Sequence, residues 1–371
     1  MERKKLVFIL NNFQVGGVER LLLDIISELS TQYNISVVTV IGSGPLFSAF
    51  QSIPVKIYRA GIPYFSGKKL PLKLFMILLA PITLIRLILI LKRVNPDMVF
   101  TSLYQADLLG IFSAKLAGIR KRILIQHDVQ NLGFFRKSFK YFFAIKYTTH
   151  IVAVSDAVKM FLMSGRNIPL EKLSVIKNGI RIDKFTTAVK SESGEELTIG
   201  IMGRLEQIKG HIYFLRALKI LKNENNLEPE VIVAGDGTIR KDLETYAKDN
   251  LLTKVRFLGM VAEPENFLKQ IDVLVVPSTE EGFGLVALEG LVGRKIVLAS
   301  DLPTFREFIQ SGNNGILFPA RDSKELAHKL HELIITPDLV KQYRIRLEKW
   351  ARDEGPMYDI KNITAQYQRI I

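Results

Sequence analysis

Residues 273–289 read VLVVPSTEEGFGLVALE, and this stretch decides the fold class. Its first four residues are apolar and mostly β-branched, which indicates a short buried strand, and Pro277 begins the polar loop that ends it. Gly282-Phe283-Gly284 then leads into a segment of helical character. A continuously apolar strand that is followed by a helix is typical of a parallel sheet covered by helices on both faces.

The same alternation of short β-branched runs and longer helical stretches extends over the whole chain. The expected strands lie at residues 6–10, 35–40, 55–59, 98–102, 122–126 and 151–154, and then at 197–202, 230–234, 255–258, 273–276, 296–299 and 316–318. A polar stretch, residues 186–196, separates the two sets and is interpreted as a linker. The 371 residues therefore predict two doubly wound α/β domains, because so long a chain exceeds one ordinary hydrophobic core.

Composition and charge narrow the class of protein. The chain has no cysteine, which excludes disulfides, zinc–thiolate sites and thiol catalysis. Its net charge is +14, and residues 1–190 carry 27 Lys and Arg against 10 Asp and Glu. Such a one-sided excess indicates that the first half faces an anionic surface, either phospholipid or nucleic acid. A charge excess that only aids solubility is the plainer alternative.

One apolar segment raises the question of a membrane. Residues 70–91 are long enough to span a bilayer, but Pro71 and Pro81 are expected to interrupt a continuous helix. Arg86 would also lie within the apolar layer of a spanning helix. We therefore interpret residues 72–93 as an interfacial or buried helix.

A second segment has a similar character. Residues 133–147 read GFFRKSFKYFFAIKY and interleave aromatic side chains with Arg136, Lys137, Lys140 and Lys146. Aromatic rings beside basic groups suit the headgroup region of an anionic membrane, and the same pattern also stacks single-stranded nucleic acid. A core helix with a solvated basic edge is the plainer alternative. Together the two segments make peripheral contact with an anionic membrane surface the leading hypothesis.

The first candidate site follows the first strand, where Gly16-Gly17 stand at a strand-to-helix turn. Glycines there let the backbone approach a ligand, and the amino end of a helix favours anions. The spacing is neither G-x-G-x-x-G nor that of a Walker loop, which argues against nicotinamide dinucleotides and P-loop ATP chemistry. A tight turn that requires glycine explains the pair equally well.

A second candidate follows the strand at 197–202, where Gly203, Arg204 and Lys209 stand in one loop. Arginine offers a planar fork of donors and lysine a point charge, an arrangement that suits a diphosphate. Two cations on an ordinary surface are the plainer alternative.

The third candidate is the stretch quoted at the start. The N–H groups at the beginning of its helix can receive phosphate or sugar oxygens. Glu281 in the loop and Glu289 about two helical turns later can each accept hydrogen bonds from vicinal hydroxyls, as a sugar and a ribose offer them. An acid–base pair of a hydrolase is the alternative, and the phosphate-type features nearby argue against it.

His127 follows the strand at 122–126, so we expect it at the carboxyl end of that strand. A histidine there acts as a general base or orients a hydroxyl group, and a purely structural histidine is the plainer alternative. The chain has no D-x-D sequence, no cysteine and five scattered histidines, so no metal cofactor is expected.

These motifs, in this order along nearly the whole chain, resemble glycosyltransferase family four, retaining enzymes with the GT-B fold. The resemblance is carried by Gly16-Gly17 with Glu19-Arg20, His127-Asp128, Asn178-Gly179-Ile180, Gly203-Arg204 with Lys209-Gly210, Gly235-Asp236-Gly237, and Pro277-Ser278 with Glu281-Gly282-Phe283-Gly284 and Glu289. Gly290 and residues 293–296 depart from the alanine and proline usual in the family, and neither touches a proposed catalytic residue.

The resemblance implies an architecture of two Rossmann-like domains with parallel sheets that face a central cleft. Residues 1–185 would form the acceptor-binding, membrane-facing domain, and residues 186–350 the domain that binds the nucleotide-sugar donor. Residues 351–371 would form a crossover helix that packs back on the first domain.

The resemblance also implies a role for each candidate residue. The donor diphosphate would be held by two cations and by backbone groups, namely Arg204, Lys209, Gly16, Gly17, Gly203, Phe283, Gly284 and Leu285. Glu289 would hold the ribose and Glu281 the hydroxyls of the donor sugar. His127 would lie beside the sugar and the acceptor.

The expected function is that of a retaining glycosyltransferase. It would move a hexose-type sugar from a nucleotide diphosphate sugar, such as a UDP-sugar, to a lipid-linked or polysaccharide acceptor. It would need no metal and would sit peripherally on the inner, cytoplasmic face of the cell membrane. A sugar-nucleotide epimerase of the same fold would need no lipid acceptor. A basic protein that binds nucleic acid would leave Glu281 and Glu289 without a function.

Overall fold

The computed structural model describes residues 3–62, 70–129, 134–165, 168–186 and 196–371. It divides the chain into two compact units, which we name unit 1 and unit 2. Unit 1 comprises Met1–Asn178 together with Ile360–Ile371, and unit 2 comprises Gly179–Asp359.

Within its described residues, unit 1 contains a seven-stranded parallel sheet in the order β3-β2-β1-β4-β5-β6-β7. The strands are β1 (Lys5–Leu10), β2 (Asn34–Ile41), β3 (Lys56–Ile62), β4 (Met98–Ser102), β5 (Lys121–Gln126), β6 (His150–Ala153) and β7 (Leu173–Val175). The helices are α1 (Gly17–Leu29), α2 (Phe47–Gln51), α3 (Leu70–Val94), α4 (Tyr104–Leu116), α5 (Phe134–Phe143), α6 (Asp156–Gly165) and, from the end of the chain, α14 (Ile360–Ile370). Helix α4 packs between α3 and α5, and α1 packs against α14.

Burial on both faces of the sheet explains the apolar strands of unit 1. Residues 6–10 of β1 are all buried, as expected for a central strand covered by helices on both sides. Phe8 and Phe100, on neighbouring strands, stack with ring centroids 4.7 Å apart. Tyr367 of α14 meets Phe100 edge-on at 6.4 Å, so the last helix docks on this core.

Unit 2 repeats this plan with a six-stranded parallel sheet in the order β10-β9-β8-β11-β12-β13, counted over its described residues. The strands are β8 (Thr198–Met202), β9 (Glu230–Ala234), β10 (Val255–Gly259), β11 (Val273–Val276), β12 (Ile296–Ser300) and β13 (Ile316–Phe318). The helices are α7 (Ile182–Thr186), α8 (His211–Asn225), α9 (Arg240–Asp249), α10 (Pro264–Leu268), α11 (Leu285–Val292), α12 (Ser323–Ile335) and α13 (Pro337–Asp353).

The borders of the units differ from the predicted borders at residues 185 and 350. The structure changes unit between Asn178 and Gly179 and again between Asp359 and Ile360. The Ile180 N–H donates to the Tyr358 carbonyl over 3.0 Å, and this backbone pairing ties both crossing segments to unit 2. The predicted crossover helix at 351–371 is therefore wrong as one element, because α13 ends at Asp353 and α14 begins at Ile360.

Of the thirteen strands in the described parts of the chain, twelve lie where the sequence predicts them, with ends that differ by up to three residues. The strand that sequence reasoning missed is β7, which has three residues at the edge of the unit 1 sheet. So short a run carries too little periodicity to be recognised. The predicted linker lies outside the described residues from 187 to 195, as does Gly133, the first residue of the second basic segment.

Helix α3 is continuous, contrary to the expectation that its two prolines would interrupt it. Pro71 stands at its second residue and Pro81 lies inside it, and neither interrupts the helix. Proline is tolerated in the first turn of a helix, and Pro81 lies at an exposed position of α3. In the described part of the chain, no helix combines the length and the apolar character that crossing a membrane requires.

Candidate functional site

The strand order of unit 2 brings two of the candidate loops together. Strands β8 and β11 are neighbours although β9 and β10 separate them in sequence, so the strand order reverses at this point. Loops that leave the carboxyl ends of strands at such a point form the ligand sites of doubly wound sheets. The Thr279 N–H donates to the Ile208 carbonyl over 2.8 Å and joins the two loops.

Gly210 permits this close approach. It has φ +69°, and a Cβ at this position would lie 1.9 Å from the carbonyl oxygen of Pro277. Any other residue would strain the left-handed backbone and push the loop after β8 away from the loop after β11. Glycine is therefore required directly after Lys209 for a steric reason.

Lys209 and Glu281 form an ion pair, with 2.5 Å between Nζ and Oε1. The Ser278 hydroxyl donates to the same Oε1 over 2.9 Å, and the Thr304 hydroxyl donates to the Glu281 carbonyl over 2.9 Å. The side chains of Lys209 and Glu281 are only 23% and 13% exposed. The cation predicted to bind phosphate and the carboxylate predicted to bind sugar thus satisfy each other, so a bound anion has to compete with Glu281 for Lys209.

Arg204 lies on the same loop but takes a different partner. Its side chain is 62% exposed, and its guanidinium lies 3.2 Å from the Glu206 carboxylate. An exposed ion pair of this kind contributes little stability, so the guanidinium can turn toward an anion at small cost. The neighbouring Gly203 donates its N–H to the Ala234 carbonyl over 3.0 Å, which anchors the start of the loop.

Packing of Phe283 builds the turn before α11. The Phe283 ring stacks on Phe308 with centroids 5.4 Å apart and lies 6.2 Å from Tyr358. Gly284 follows at φ +90°, where a Cβ would lie 2.3 Å from the Phe305 ring. The aromatic cluster and the glycine together fix the direction in which the helix begins.

The start of α11 leaves backbone donors unused by the helix. Its first bonds run from the N–H groups of Ala287 and Leu288 to the Gly284 carbonyl, and no side chain caps it. The amides of Phe283, Gly284 and Leu285 precede these bonds, as expected at the amino end of a helix. Glu289 lies in the second turn of α11 and is half-buried. The helix therefore presents amide donors and a carboxylate, the groups that were predicted for this element.

His211, which sequence reasoning missed, begins α8 directly after Gly210. Its ring is 2% exposed, and neither ring nitrogen has a hydrogen-bond partner among the residues that the structure describes. Burial, together with the positive charge of Lys209, lowers the pKa of His211 to about 3. The imidazole is therefore neutral at physiological pH.

We expect His211 to make the protein sensitive to acid. Its folded pKa of about 3 lies below the unfolded value near 6.5, so its contribution to stability is complete above pH 6.5 and is lost as the pH falls toward 3. His211→Leu should abolish this loss, which amounts to about 2 kcal/mol of the free energy of unfolding between pH 7.5 and pH 5. Urea unfolding at both pH values measures it. Lys219→Leu, which changes an exposed residue of α8 that stays charged over this pH range, is the control for the substitution itself.

In unit 1 the strand order reverses between β1 and β4. At the carboxyl end of β1, the Asn11 amide donates to the Gln105 side chain over 2.7 Å and accepts the Ala106 N–H over 2.8 Å. Gly16 caps α1 in an extended conformation with φ −149°, and a Cβ there would meet only the flexible Glu19 carboxylate. Turn geometry therefore does not require glycine at position 16, which removes the tight-turn explanation for this residue.

His127 follows β5, at the carboxyl end where the sequence predicts it. Its two ring nitrogens are shielded from solvent and have no hydrogen-bond partner within the described residues. Burial and the nearby charge of Lys140 lower the pKa of His127 to about 3. A group with so low a pKa is a poor general base at neutral pH, so of the two predicted roles the orienting of a hydroxyl group fits this histidine better.

Lys140 corrects the interpretation of the second basic segment. It was expected among basic groups at a solvated or lipid-facing edge, yet its side chain is 8% exposed. Its Nζ lies 2.9 Å from the Asp107 carboxylate and donates to Gln126 Oε1 over 2.8 Å. Burial raises the pKa of the Asp107 carboxyl, and Lys140 opposes that shift. Sequence reasoning missed Asp107 and Gln126, because no local pattern marks a contact between α4, α5 and the end of β5.

Two family models match the chain. Residues 15–184 match Glycosyltransferase Family 4, and residues 196–335 match Glycosyl transferases group 1. Every predicted site residue, from Gly16 to Glu289, lies within one of the two matched segments.

Several characterised proteins are similar in sequence. The chain is 33% identical over 229 residues to the UDP-Gal:alpha-D-GlcNAc-diphosphoundecaprenol alpha-1,3-galactosyltransferase of Escherichia coli, an alignment that covers 56% of this chain and 58% of that relative. It is 27% identical over 316 residues to the N,N'-diacetylbacillosaminyl-diphospho-undecaprenol alpha-1,3-N-acetylgalactosaminyltransferase of Campylobacter jejuni, covering 76% and 79% of the two chains. The chain thus spans little more than half the length of the first of these relatives.

The fold is shared with solved structures over nearly the full chain. The crystal structure of Anabaena Alr3699/HepE in complex with UDP and glucose has a TM-score of 0.81 at 20% identity and covers 99% of each chain. That of TarM has a TM-score of 0.78 at 14% identity and covers 99% of this chain and 98% of that one. These neighbours and the two parallel sheets confirm the predicted α/β class with two Rossmann-like domains, the GT-B fold. From its matched segments and its fold, the chain belongs to glycosyltransferase family 4.

Proposed function

We propose that the protein is a retaining glycosyltransferase that moves a hexose-type sugar from a nucleotide diphosphate sugar to a lipid-linked or polysaccharide acceptor. The observation that carries this proposal is the pairing of Lys209 with Glu281 at the point where the unit 2 strand order reverses. A cation for phosphate and a carboxylate for sugar hydroxyls stand there together, beside the amide donors of α11. The names of the Escherichia coli and Campylobacter jejuni relatives, which describe transfer to diphospho-undecaprenol-linked sugars, support the class of acceptor.

The donor would lie along the carboxyl edge of the unit 2 sheet. Arg204 and Lys209 would neutralise the diphosphate, and the amides of Phe283, Gly284 and Leu285 would add hydrogen bonds to it. These groups stabilise the charge that develops on the leaving diphosphate, so the protein supplies the electrostatic stabilisation without a metal ion.

The sugar and ribose would be held by carboxylates. Glu281 would exchange its bond to Lys209 for bonds from the sugar hydroxyls, and Glu289 would accept hydrogen bonds from the ribose. The bond between the anomeric carbon and the phosphate oxygen breaks while the acceptor oxygen attacks from the same face. The acceptor proton passes to the leaving phosphate, and the configuration is retained. The neutral His127 would orient a hydroxyl group of the sugar or the acceptor.

The direct test is release of nucleoside diphosphate from a donor panel. UDP-glucose, UDP-galactose, UDP-N-acetylglucosamine and GDP-mannose are each incubated with the protein, with and without membrane extract. We expect release only when both donor and acceptor are present, unchanged by EDTA, and an α-linked product from an α-linked donor by NMR. Conversion of a donor into its epimer without an acceptor would instead support an epimerase. An inverted product would contradict the retaining mechanism.

The surface of α3 supports contact with an anionic membrane. Ile82, Ile85 and Leu89 are exposed on one side of the helix, whereas Leu87 and Leu91 are buried on the other. The exposed side also carries Arg86, and Lys92 and Arg93 follow in the last turn. Apolar side chains beside basic groups match the interface of a bilayer with anionic headgroups. On α5, Phe139 and Phe142 are exposed as well, and α5 lies on the same helical layer because α4 packs between it and α3.

We propose that the protein sits peripherally on the inner, cytoplasmic face of the cell membrane, and the exposed apolar and basic side chains of α3 support the contact with anionic lipid. Changing both Ile85 and Leu89 to serine should weaken binding to phosphatidylglycerol vesicles by about tenfold or more, because two apolar side chains no longer enter the bilayer. Co-sedimentation at low and high salt measures it. Ile345→Ser, at an equally exposed position on α13 of unit 2, is the control and should bind as the wild type does. Binding that is independent of lipid charge and salt would contradict the placement.

A further inference from the structure

Lys140 lies at the centre of a buried polar network that encloses the segment carrying His127. Its Nζ contacts the Asp107 carboxylate at 2.9 Å and Gln126 Oε1 at 2.8 Å. The Gln126 amide nitrogen in turn donates to Asp128, at 3.0 Å to the backbone carbonyl and at 2.6 Å to Oδ1. Asp107 is anchored by the Thr101 hydroxyl at 2.9 Å. The network therefore runs from α4 and α5 to both sides of position 127.

The chemistry of lysine determines how the Gln126 amide is turned. Lysine only donates, so the amide must present its oxygen to Lys140, and its NH₂ group then faces Asp128. If Lys140 were absent, the Gln126 oxygen would lose its buried donor, and the amide would be held only by its bonds to Asp128. The bond that ties residues 126–128 to α5 would then be lost. Lys140 thus acts on the loop through its bond to a neighbouring amide.

We propose that Lys140 is a positioning residue for His127. By orienting the Gln126 amide, it holds residues 126–128, and with them the His127 ring, in the arrangement used for sugar transfer. The proposal rests on the proposed function for what His127 does, whereas the link from Lys140 to His127 rests on contacts within unit 1. The sequence alone does not indicate this role, because Lys140 is one of several basic residues that alternate with aromatic residues there.

Two variants separate this role from a purely structural one. Lys140→Met alone would leave a buried carboxylate without its cation and would destabilise the fold, so it is combined with Asp107→Asn, which still accepts from Thr101. Gln126→Met keeps the Lys140–Asp107 pair and adds no charge beside His127, but it removes both the acceptor for Lys140 and the donors to Asp128. Lys115→Met, at an exposed position on α4, is the matched control.

Both test variants should fold with melting temperatures near that of the wild type yet transfer sugar slowly. We expect kcat to fall by roughly 10- to 100-fold, because a displaced group near the reacting centre costs rates of this order. The donor KM should change less than kcat, since Arg204, Lys209, Glu281 and Glu289, which would hold most of the donor, lie in unit 2. Lys115→Met should match the wild type in both constants.

The His127 ring provides a readout that does not depend on activity. Its signal in ¹³C-histidine NMR is assigned with His127→Gln, and in the wild type it should not titrate above pH 5, because its pKa is about 3. In both variants the signal should move, and the ring should titrate closer to the ordinary value near 6.5. Gln126→Met retains the charge of Lys140 and adds no charge beside His127, so its effect reports movement of the loop rather than a change of charge. The charged groups that face the ring segment are Lys140, Asp107 and Asp128.

The outcomes separate the two hypotheses. An unchanged His127 signal in both folded variants would overturn the positioning role, whatever the activity. A moved signal with unchanged kcat would overturn its link to transfer. If the wild type transfers no sugar from any donor, the proposed function fails, and the NMR signal alone decides whether Lys140 positions His127.

Discussion

Lys209→Ala is expected to lower kcat/KM for the nucleotide sugar by about 10³-fold, because the ammonium group that would stabilise the charge on the leaving diphosphate is lost. The change also leaves Glu281, only 13% exposed, without its cation beside the diphosphate. The carboxylate then repels the phosphate that Lys209 would have held. Steady-state release of nucleoside diphosphate at several donor concentrations measures the effect.

Two further variants make this result specific. Lys219→Ala changes an exposed lysine of α8 in the same unit and should retain wild-type kcat/KM. Lys209→Arg keeps the positive charge and should recover part of the activity, although the geometry of its fork differs from that of an ammonium group. Full turnover by Lys209→Ala would refute the role assigned to the ion pair and, with it, the donor site.

Gly210→Ala should destabilise unit 2 by about 3 kcal/mol or more. The left-handed backbone at φ +69° costs a residue with a Cβ about 1 kcal/mol, and the clash with the Pro277 carbonyl oxygen adds the larger part. Because that oxygen belongs to the backbone, the loops after β8 and β11 must separate to make room. We therefore expect loss of transfer as well as a lower midpoint of urea unfolding.

Gly312→Ala is a matched control for this variant. Gly312 has φ +83°, nearly the same backbone conformation, and a Cβ there would meet no atom within 4 Å. Gly312→Ala should lower the free energy of unfolding only by the cost of the left-handed backbone, about 1 kcal/mol, and should leave sugar transfer intact. Equal losses of stability in the two variants would show that the close contact between position 210 and the Pro277 carbonyl does not determine the effect of Gly210→Ala.

The Lys209–Glu281 pair has a consequence for the choice of ligand. A diphosphate that draws Lys209 away leaves the Glu281 carboxylate with the Ser278 hydroxyl at 2.9 Å as its described side-chain donor. A sugar with adjacent hydroxyls replaces the lost bond, whereas a free diphosphate does not. If these residues hold the donor as proposed, we expect tighter binding of the complete donor than of its parts, because burying a carboxylate without partners is costly.

The sequence alone was enough to predict the two parallel sheets and the edge at which each candidate residue stands. Apolar runs such as residues 273–276 are local patterns, and glycines such as Gly284 mark turns that other residues do not allow. A residue that follows a strand must lie at the carboxyl end of that strand. For this reason Arg204, Lys209, Glu281 and His127 all lie where their positions along the chain indicated.

Tertiary structure alone decided which of these residues meet. Lys209 and Glu281 are 72 positions apart, and Lys140 reaches Gln126 on a different element, so no local period encodes either contact. Lys219 is exposed, Lys209 is paired with Glu281 and Lys140 is buried beside Asp107. The packing of neighbouring elements sets these different surroundings. Protonation follows from that packing as well: burial lowers the pKa of His127 and His211 to about 3, although in sequence they look like any other histidine.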